Sequence, residues 1–330
     1  LDERLLRGVV TARLPGVATC CRISGDGSRI ALTLNSPTTN SNVWGMDPET
    51  TARTQWTRAP MGELEGVPLV EPTLIHYPTH DGLEIPAFLY RPPGSEDRPV
   101  PAIVHVHGGP ESQDRPHFSP VYQYLVHRGY AVLAPNVRGS TGYGNRYCHL
   151  DDREKRPDAL RDVEYAARWL KSSNVADPKR IGIMGASYGG YTVLACLTRQ
   201  PNVWAAGVDI VGISNFETFF KHTGPWRRHL RASEYGDPEK DAILLRRLSP
   251  IHRIDRIRAP LMVVQGANDP RVPQEESDQM VEQLRARNHP VEYLLFPDEG
   301  HGIVKLPNRI QAYTAIGEFL DRYLMAPADE

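Results

Sequence analysis

Ile181-Gly-Ile-Met-Gly185-Ala186-Ser187-Tyr188-Gly189-Gly190 reads as a buried strand that enters a Gly-x-Ser-x-Gly turn and continues at once into a helical run through Leu197. A strand can pass into a helix without a loop only if the backbone crowds itself, and the glycines around Ser187 remove the side chains that would collide. Such a turn lifts one hydroxyl out at the carboxyl end of a sheet. A solvated serine in a plain glycine-rich turn would show the same spacing, and the flanking strand and helix separate the two readings.

Outward from this turn the alternation continues. Apolar runs at 102–107, 131–134, 206–211, 261–265 and 291–296 are short and separated by helical patterns, which implies βαβ units and a mostly parallel sheet. Two intervening helices are explicit: 158–171 gathers Leu160, Val163, Ala167 and Leu170 on one face, and 309–323 gathers Ile310, Tyr313, Ile316 and Tyr323. A hairpin of 74–77 and 83–90 turns at Asp81-Gly82 ahead of the first parallel strand. Residues 16–60 differ in texture, with strand-like runs at 17–23, 30–34, 43–46 and 54–57 between turn signals such as Gly25-Asp26-Gly27, the pattern of an antiparallel meander. The expected division is a short antiparallel segment over 1–66 and an α/β domain over 67–330.

Composition narrows the possibilities. Lys and Arg number 38 against 40 Asp and Glu, a net charge of −2 with no long run of either sign, so nucleic acid is not an expected partner. The most apolar segment, 205–213, is short and interrupted by Asp209, far from the ~18 apolar residues of a membrane span. Cys20, Cys21, Cys148 and Cys196 form neither a dense disulfide framework nor a metal pattern, and adjacent Cys20 and Cys21 would face opposite ways on a strand. A cytoplasmic setting fits this usage and the absence of a basic-then-apolar leader, although the start at Leu1 rather than Met hints that the chain does not begin at a translation start.

A serine hydroxyl is a poor nucleophile until a base takes its proton. Of the 12 histidines, His301 in Phe296-Pro-Asp-Glu-Gly300-His301-Gly302 follows the last buried strand, where the Ser, Asp, His chain order of an α/β-hydrolase fold puts its base. Asp269 follows the preceding strand and is placed to orient it, whereas Asp298 and Glu299 stand too near His301 in sequence to reach around its ring and read as solvated loop residues. The glycines of His105-Val-His107-Gly108-Gly109-Pro110, after another buried strand, let backbone N–H groups approach a developing oxyanion, with the Tyr188 N–H as partner donor. His105 and His107 share a strand face and could be read as a metal pair, but no third ligand stands at metal spacing beside them. The serine route requires neither metal nor cofactor.

At these residues the chain resembles the prolyl oligopeptidase family of serine peptidases, most closely its acylaminoacyl-peptidase branch. His107-Gly-Gly-Pro110-Glu-Ser-Gln113, Asn136-Val-Arg138-Gly-Ser-Thr-Gly-Tyr-Gly144, Gly185 to Gly190, Asn268-Asp-Pro-Arg-Val-Pro273 and Asp298-Glu-Gly-His-Gly302 carry the likeness in order. The resemblance implies an α/β-hydrolase fold with a mostly parallel central sheet, preceded by a short antiparallel β segment. It implies Ser187, Asp269 and His301 as triad, and Gly109 and Tyr188 as oxyanion hole. It also implies Arg271, Ile213, Phe216 and Phe220 near the pocket for the group before the scissile bond, where the Arg271 fork could hold a substrate carbonyl.

Family peptidases carry a whole β-propeller, whereas residues 1–66 hold strands for one blade, with Ser24-Gly-Asp-Gly27 and Trp44-Gly-Met-Asp47 resembling its final blade. A lone blade must pack on the hydrolase, meet another chain in a homo-oligomer, or mark a truncated longer protein. The expected chemistry is acyl transfer to water on acylated peptides, short peptides or small carboxylic esters. An open-site carboxylesterase and a catalytically silent binding module are the competing readings.

Overall fold

The structure, a computed structural model, describes Leu14 and residues 16–325; the start of the expected N-terminal segment lies outside the described residues. The chain forms two compact units, one reaching to Pro72 and including Arg115–Gln123, the other comprising Thr73–Asp114 and the chain from Tyr124 onward. This boundary falls later than 66/67 because the backbone beyond is tethered: the Val70 N–H donates to Gln123 Oε1 at 2.9 Å, and Gln123 Nε2 donates to the carbonyls of Val70 at 2.8 Å and Pro37 at 3.1 Å.

In the first unit β1 (Val17–Ile23), β2 (Ile30–Ser36), β3 (Thr39–Met46) and β4 (Arg53–Gln55) form an antiparallel sheet in chain order. Leu32 and Leu34, two apart on β2, are both buried, as a pleated strand with one covered face requires. Cys20 and Cys21 are both exposed, and a register shift between Thr19 and Arg22, with Cys20 at φ 49°, interrupts the regular strand there.

The second unit begins with the hairpin of β5 (Thr73–Pro78) and β6 (Glu84–Tyr90), followed by β7 (Val100–Val106), α1 (Pro120–His127, of which the latter half belongs here) and β8 (Ala131–Pro135). The short α2 (Asn145–Cys148) and the long α3 (Arg156–Ser172) lead to β9 (Ala176–Ala186), α4 (Tyr188–Arg199) and β10 (Ala206–Ile210). Helices α5 (Phe216–His222), α6 (Pro225–Tyr235) and α7 (Ala242–Leu248) come next, then β11 (Leu261–Gly266), α8 (Gln274–Ala286), β12 (Val291–Phe296) and α9 (Leu306–Leu320). The sheet order is β12-β11-β10-β9-β7-β8-β6-β5, parallel from β12 to β8 and antiparallel at the β8, β6 and β5 edge. This is the α/β-hydrolase fold expected from the sequence.

The central parallel strands β7, β10 and β11 are covered on both faces, so they are largely apolar instead of alternating. Ala102, Val104 and Val106 of β7 join a core with Leu160, Val163, Ala167 and Leu170 of α3, Leu194 and Leu197 of α4, and Met280 and Leu284 of α8. Between them Ile103 turns to the opposite face, where it and Leu324 press on Gly182. There α9 buries Ala312, Ile316, Phe319 and Leu320, and Asp321 accepts hydrogen bonds from Tyr130 Oη at 2.8 Å and from Arg128. Ile310 is 60% exposed, so the α9 stripe is displaced from the expected Ile310–Tyr313–Ile316–Tyr323 face.

Candidate active site

β9 and α4 meet at Ser187, which has φ 60° and ψ −118°, a conformation that L residues rarely adopt. What holds it there is visible on both sides. The Ser187 N–H donates to the Ile210 carbonyl of β10 at 2.8 Å, and a Cβ on Gly189 would lie 2.1 Å from the Val106 carbonyl oxygen of β7. A Cβ on Gly185 would lie 2.6 Å from the Gly189 carbonyl. Only glycine at 185 and 189 lets strand, turn and helix close this tightly, and the hydroxyl is thereby fixed at the carboxyl ends of β7, β9 and β10.

The loops after β11 and β12 bring the other two members. His301 Nε2 lies 2.9 Å from Ser187 Oγ, and His301 Nδ1 lies 2.6 Å from Asp269 Oδ2. Asp269 Oδ1 accepts the N–H groups of Arg271 at 2.8 Å and Val272 at 3.0 Å, which turns Oδ2 towards the ring. The Asp269 side chain is fully enclosed while that of His301 keeps 17% exposure. An ionised carboxylate with three donors around it and no water access holds the imidazole in one orientation with its proton on Nδ1, leaving Nε2 free to accept.

Glu299 is not the solvated residue its loop position suggested. It is 4% exposed and accepts the N–H groups of Val304 at 3.1 Å and Lys305 at 2.9 Å, and its carbonyl accepts from the Asn268 N–H at 2.9 Å. It therefore ties the His301 loop to the Asp269 loop.

The glycine pair after β7 also lies against the nucleophile. A Cβ on Gly108 would approach Ala186 O to 3.0 Å and Ser187 Cβ to 3.4 Å, and Gly109 has φ +134°, where a side chain would strain the chain. The Tyr188 N–H, in the first turn of α4, has no intrahelical acceptor and is free for an oxyanion. His107 contributes no metal pair: its Nδ1 lies 2.8 Å from the Gly108 carbonyl and its Nε2 2.9 Å from Ser140 Oγ, so both nitrogens are engaged.

Tyr188 is anchored by residues that sequence reading passed over. The buried Arg156 donates through Nη1 to the Tyr188 hydroxyl at 2.6 Å and to Asp151 Oδ2 at 2.9 Å, and through Nη2 to the Glu234 carbonyl at 2.8 Å. Its guanidinium also lies 5.1 Å from the Tyr188 ring centroid and 4.8 Å from that of Tyr235. In the sequence Arg156 stands just before the helical stripe of 158–171, with nothing to mark it as buried.

Of the pocket residues implied by resemblance, Phe216 is 0% exposed among Tyr191, Phe219 and Tyr235, and Ile213 is 2% exposed in the same core. Phe220, 4% exposed, packs against Phe219 and Tyr235. Arg271 is exposed.

Beside the elbow lies an acid the triad does not use. Asp209 on β10 is fully buried against Gly190 and Gly212, and the Gly212 N–H is the donor turned towards its carboxyl group. Burial pushes it up to about 7, helped by the charge of Glu276, which burial likewise pushes up to about 7. A carboxyl raised on folding favours the fold below its unfolded value near 3.8, and that contribution is lost as pH rises through about 7. Asp209→Asn, which keeps the shape and removes the titration, is therefore expected to gain stability over wild type progressively between about pH 4 and about pH 7, at up to ~1.4 kcal/mol per pH unit, and to hold that gain above about pH 7. Denaturant titrations across that range check this; parallel curves for the two proteins would exclude it.

A model of the prolyl oligopeptidase family matches residues 116–326. Dipeptidyl aminopeptidase BIII of Pseudoxanthomonas mexicana is 41% identical over 268 residues, covering 78% of this chain and 39% of that protein. The acylamino-acid-releasing enzyme of Mus musculus is 29% identical over 238 residues, covering 67% of this chain and 31% of that protein. A crystal structure of puromycin hydrolase superposes with a TM-score of 0.88 at 26% identity, over 97% of this chain and 49% of that one. The chain thus spans less than half the length of these proteins. With the family match extending from α1 through α9, the chain belongs to the prolyl oligopeptidase family.

Proposed function

We propose that the chain hydrolyses acyl-peptide and short-peptide bonds through an acyl-serine intermediate, and simple carboxylic esters by the same route. The observation that carries this reading is the 2.9 Å approach of His301 Nε2 to Ser187 Oγ with Asp269 behind the ring. Ser187 Oγ attacks the carbonyl carbon as its proton passes to His301 Nε2, and the oxyanion is met by the N–H groups of Gly109 and Tyr188. His301 gives the proton to the leaving amine or alcohol, and the acyl group stays on Ser187. Water then attacks with His301 as base, and the acid leaves as the serine is restored. The names of the relatives, a dipeptidyl aminopeptidase and an acylamino-acid-releasing enzyme, support peptide-like substrates of either amino-terminal kind. The four unpaired thiols support a reducing, cytoplasmic setting.

The test is a panel of nitrophenyl esters, acyl-aminoacyl anilides and dipeptidyl anilides, each with and without a serine-directed phosphonate and a chelator. Cleavage of anilides as well as esters, stopped by the phosphonate and indifferent to the chelator, is expected. Ester turnover alone would favour the carboxylesterase, and no turnover at all the binding module.

A further inference from the structure

We propose that Arg227 and Arg271 form an anion subsite at the rim of the active centre, taking a carboxylate carried by the substrate within a residue or two of the scissile bond. This deepens the peptidase reading and rests on it. Arg271 is fixed to the triad by its backbone: its N–H donates to Asp269 Oδ1 at 2.8 Å and its carbonyl accepts from Thr223 Oγ1 at 2.8 Å, while its side chain is exposed. The turn before α6 lies on the same loop, since the Gly224 N–H donates to the Pro270 carbonyl at 3.2 Å and the Arg227 N–H to the Gly224 carbonyl at 2.8 Å. One backbone bond, from Gly224 to Pro270, and one from the Thr223 hydroxyl to the Arg271 carbonyl thus tie the turn that carries Arg227 to the Arg271 loop.

Several arginines of this unit have an acidic partner that this pair lacks. Arg138 is held by Asp81 and Asp162, Arg156 by Asp151, and Arg231, one turn along α6, by Glu234. Among the described residues neither Arg227 nor Arg271 makes an ion pair, and the Arg227 Nε is buried without a hydrogen-bond partner. An acid whose charge acts on Arg227 is Asp269, whose two oxygens are already engaged by His301 and by backbone N–H groups. Partial burial, together with the charges of Arg231 and Arg271, pushes the Arg227 guanidinium below its usual range. Trp226, 60% exposed, lies beneath that guanidinium at 5.4 Å and stiffens it. Two forked cations whose charges reach each other repel, and a carboxylate received between them relieves the repulsion and accepts charge-assisted hydrogen bonds.

The carboxylate could be the free C-terminus of a short peptide or an acidic side chain, and the experiment separates them. One pair of N-acetylated tripeptides differs only in a C-terminal carboxylate against its amide; a second, with the C-terminus amidated, carries Asp against Asn at its last residue. With the intact chain, the charged member of at least one pair is expected to have roughly tenfold or higher kcat/KM, the size of one charge-assisted contact. The advantage should shrink with added salt, and the charged-to-neutral ratio should collapse in Arg227→Gln and in Arg271→Gln. Equal kcat/KM within both pairs in the wild type would overturn the subsite while leaving the hydrolase reading intact. If no peptide is cleaved in a Ser187-dependent way, the hydrolase reading fails. Calorimetric binding of the same pairs to Ser187→Ala then decides the subsite separately, since equal affinity within each pair would overturn it.

Discussion

Ser187→Ala lowers turnover by ~10⁴- to 10⁶-fold, the typical effect of removing a triad nucleophile, and leaves the fold unchanged. The large effect follows because no other hydroxyl occupies the point 2.9 Å from His301 Nε2 at which the serine is held. The small structural effect follows because alanine keeps the Cβ, and with it the backbone strain at φ 60°, and gives up one half-exposed hydroxyl. Ser187→Gly provides a control: it is equally inactive, yet glycine adopts this φ freely, so the variant should be more stable than the alanine protein by ~1 kcal/mol. Rates on a nitrophenyl ester and denaturant midpoints for all three proteins check both halves. An alanine variant that kept a tenth of the wild-type rate with an unchanged midpoint would show that the nucleophile lies elsewhere.

What the sequence made legible was local crowding and period. The elbow could be read because Gly185 and Gly189 answer a backbone constraint that acts within a few residues, and the α3 stripe because Leu160, Val163, Ala167 and Leu170 repeat at helical spacing and are all buried. The α9 stripe was misjudged because Ile310 and Tyr313 are large and in phase. Burial there is set by what α9 meets across the sheet, which draws Ala312 and Phe319 inward instead. Polar residues were hardest to place. Glu299 looked like a loop acid because its partners, the N–H groups of Val304 and Lys305, are backbone atoms that any sequence possesses. Arg156 of α3, Tyr188 of α4 and the loop residue Asp151 are brought together, and no spacing in the chain announces a buried cation. The triad itself also spans distant segments, but the order of strands in this fold makes its loops predictable, whereas nothing of the kind fixes a supporting network.

Asp269→Asn is the second large effect, and the geometry determines its direction. The carboxylate accepts on both sides, from the N–H groups of Arg271 and Val272 at Oδ1 and from His301 Nδ1 at Oδ2. Asparagine has one acceptor end and one donor end. Turning its NH₂ towards two backbone N–H groups at 2.8 and 3.0 Å would set donors against donors inside an enclosed site, so the amide oxygen must stay there. The NH₂ then faces Nδ1, which can only accept it, and the ring proton moves to Nε2. His301 thereby points a donor at Ser187 Oγ and can no longer take its proton. A fall in kcat of ~10⁴ follows, with KM and stability little changed because the two backbone hydrogen bonds survive. Asp269→Ala removes the enforced tautomer along with the carboxylate, so it should be no worse than asparagine in rate although it is less stable. Steady-state kinetics on one ester and one anilide, with unfolding curves for both variants, separate these effects. An asparagine variant within tenfold of wild type would mean that Asp269 does not set the tautomer of His301.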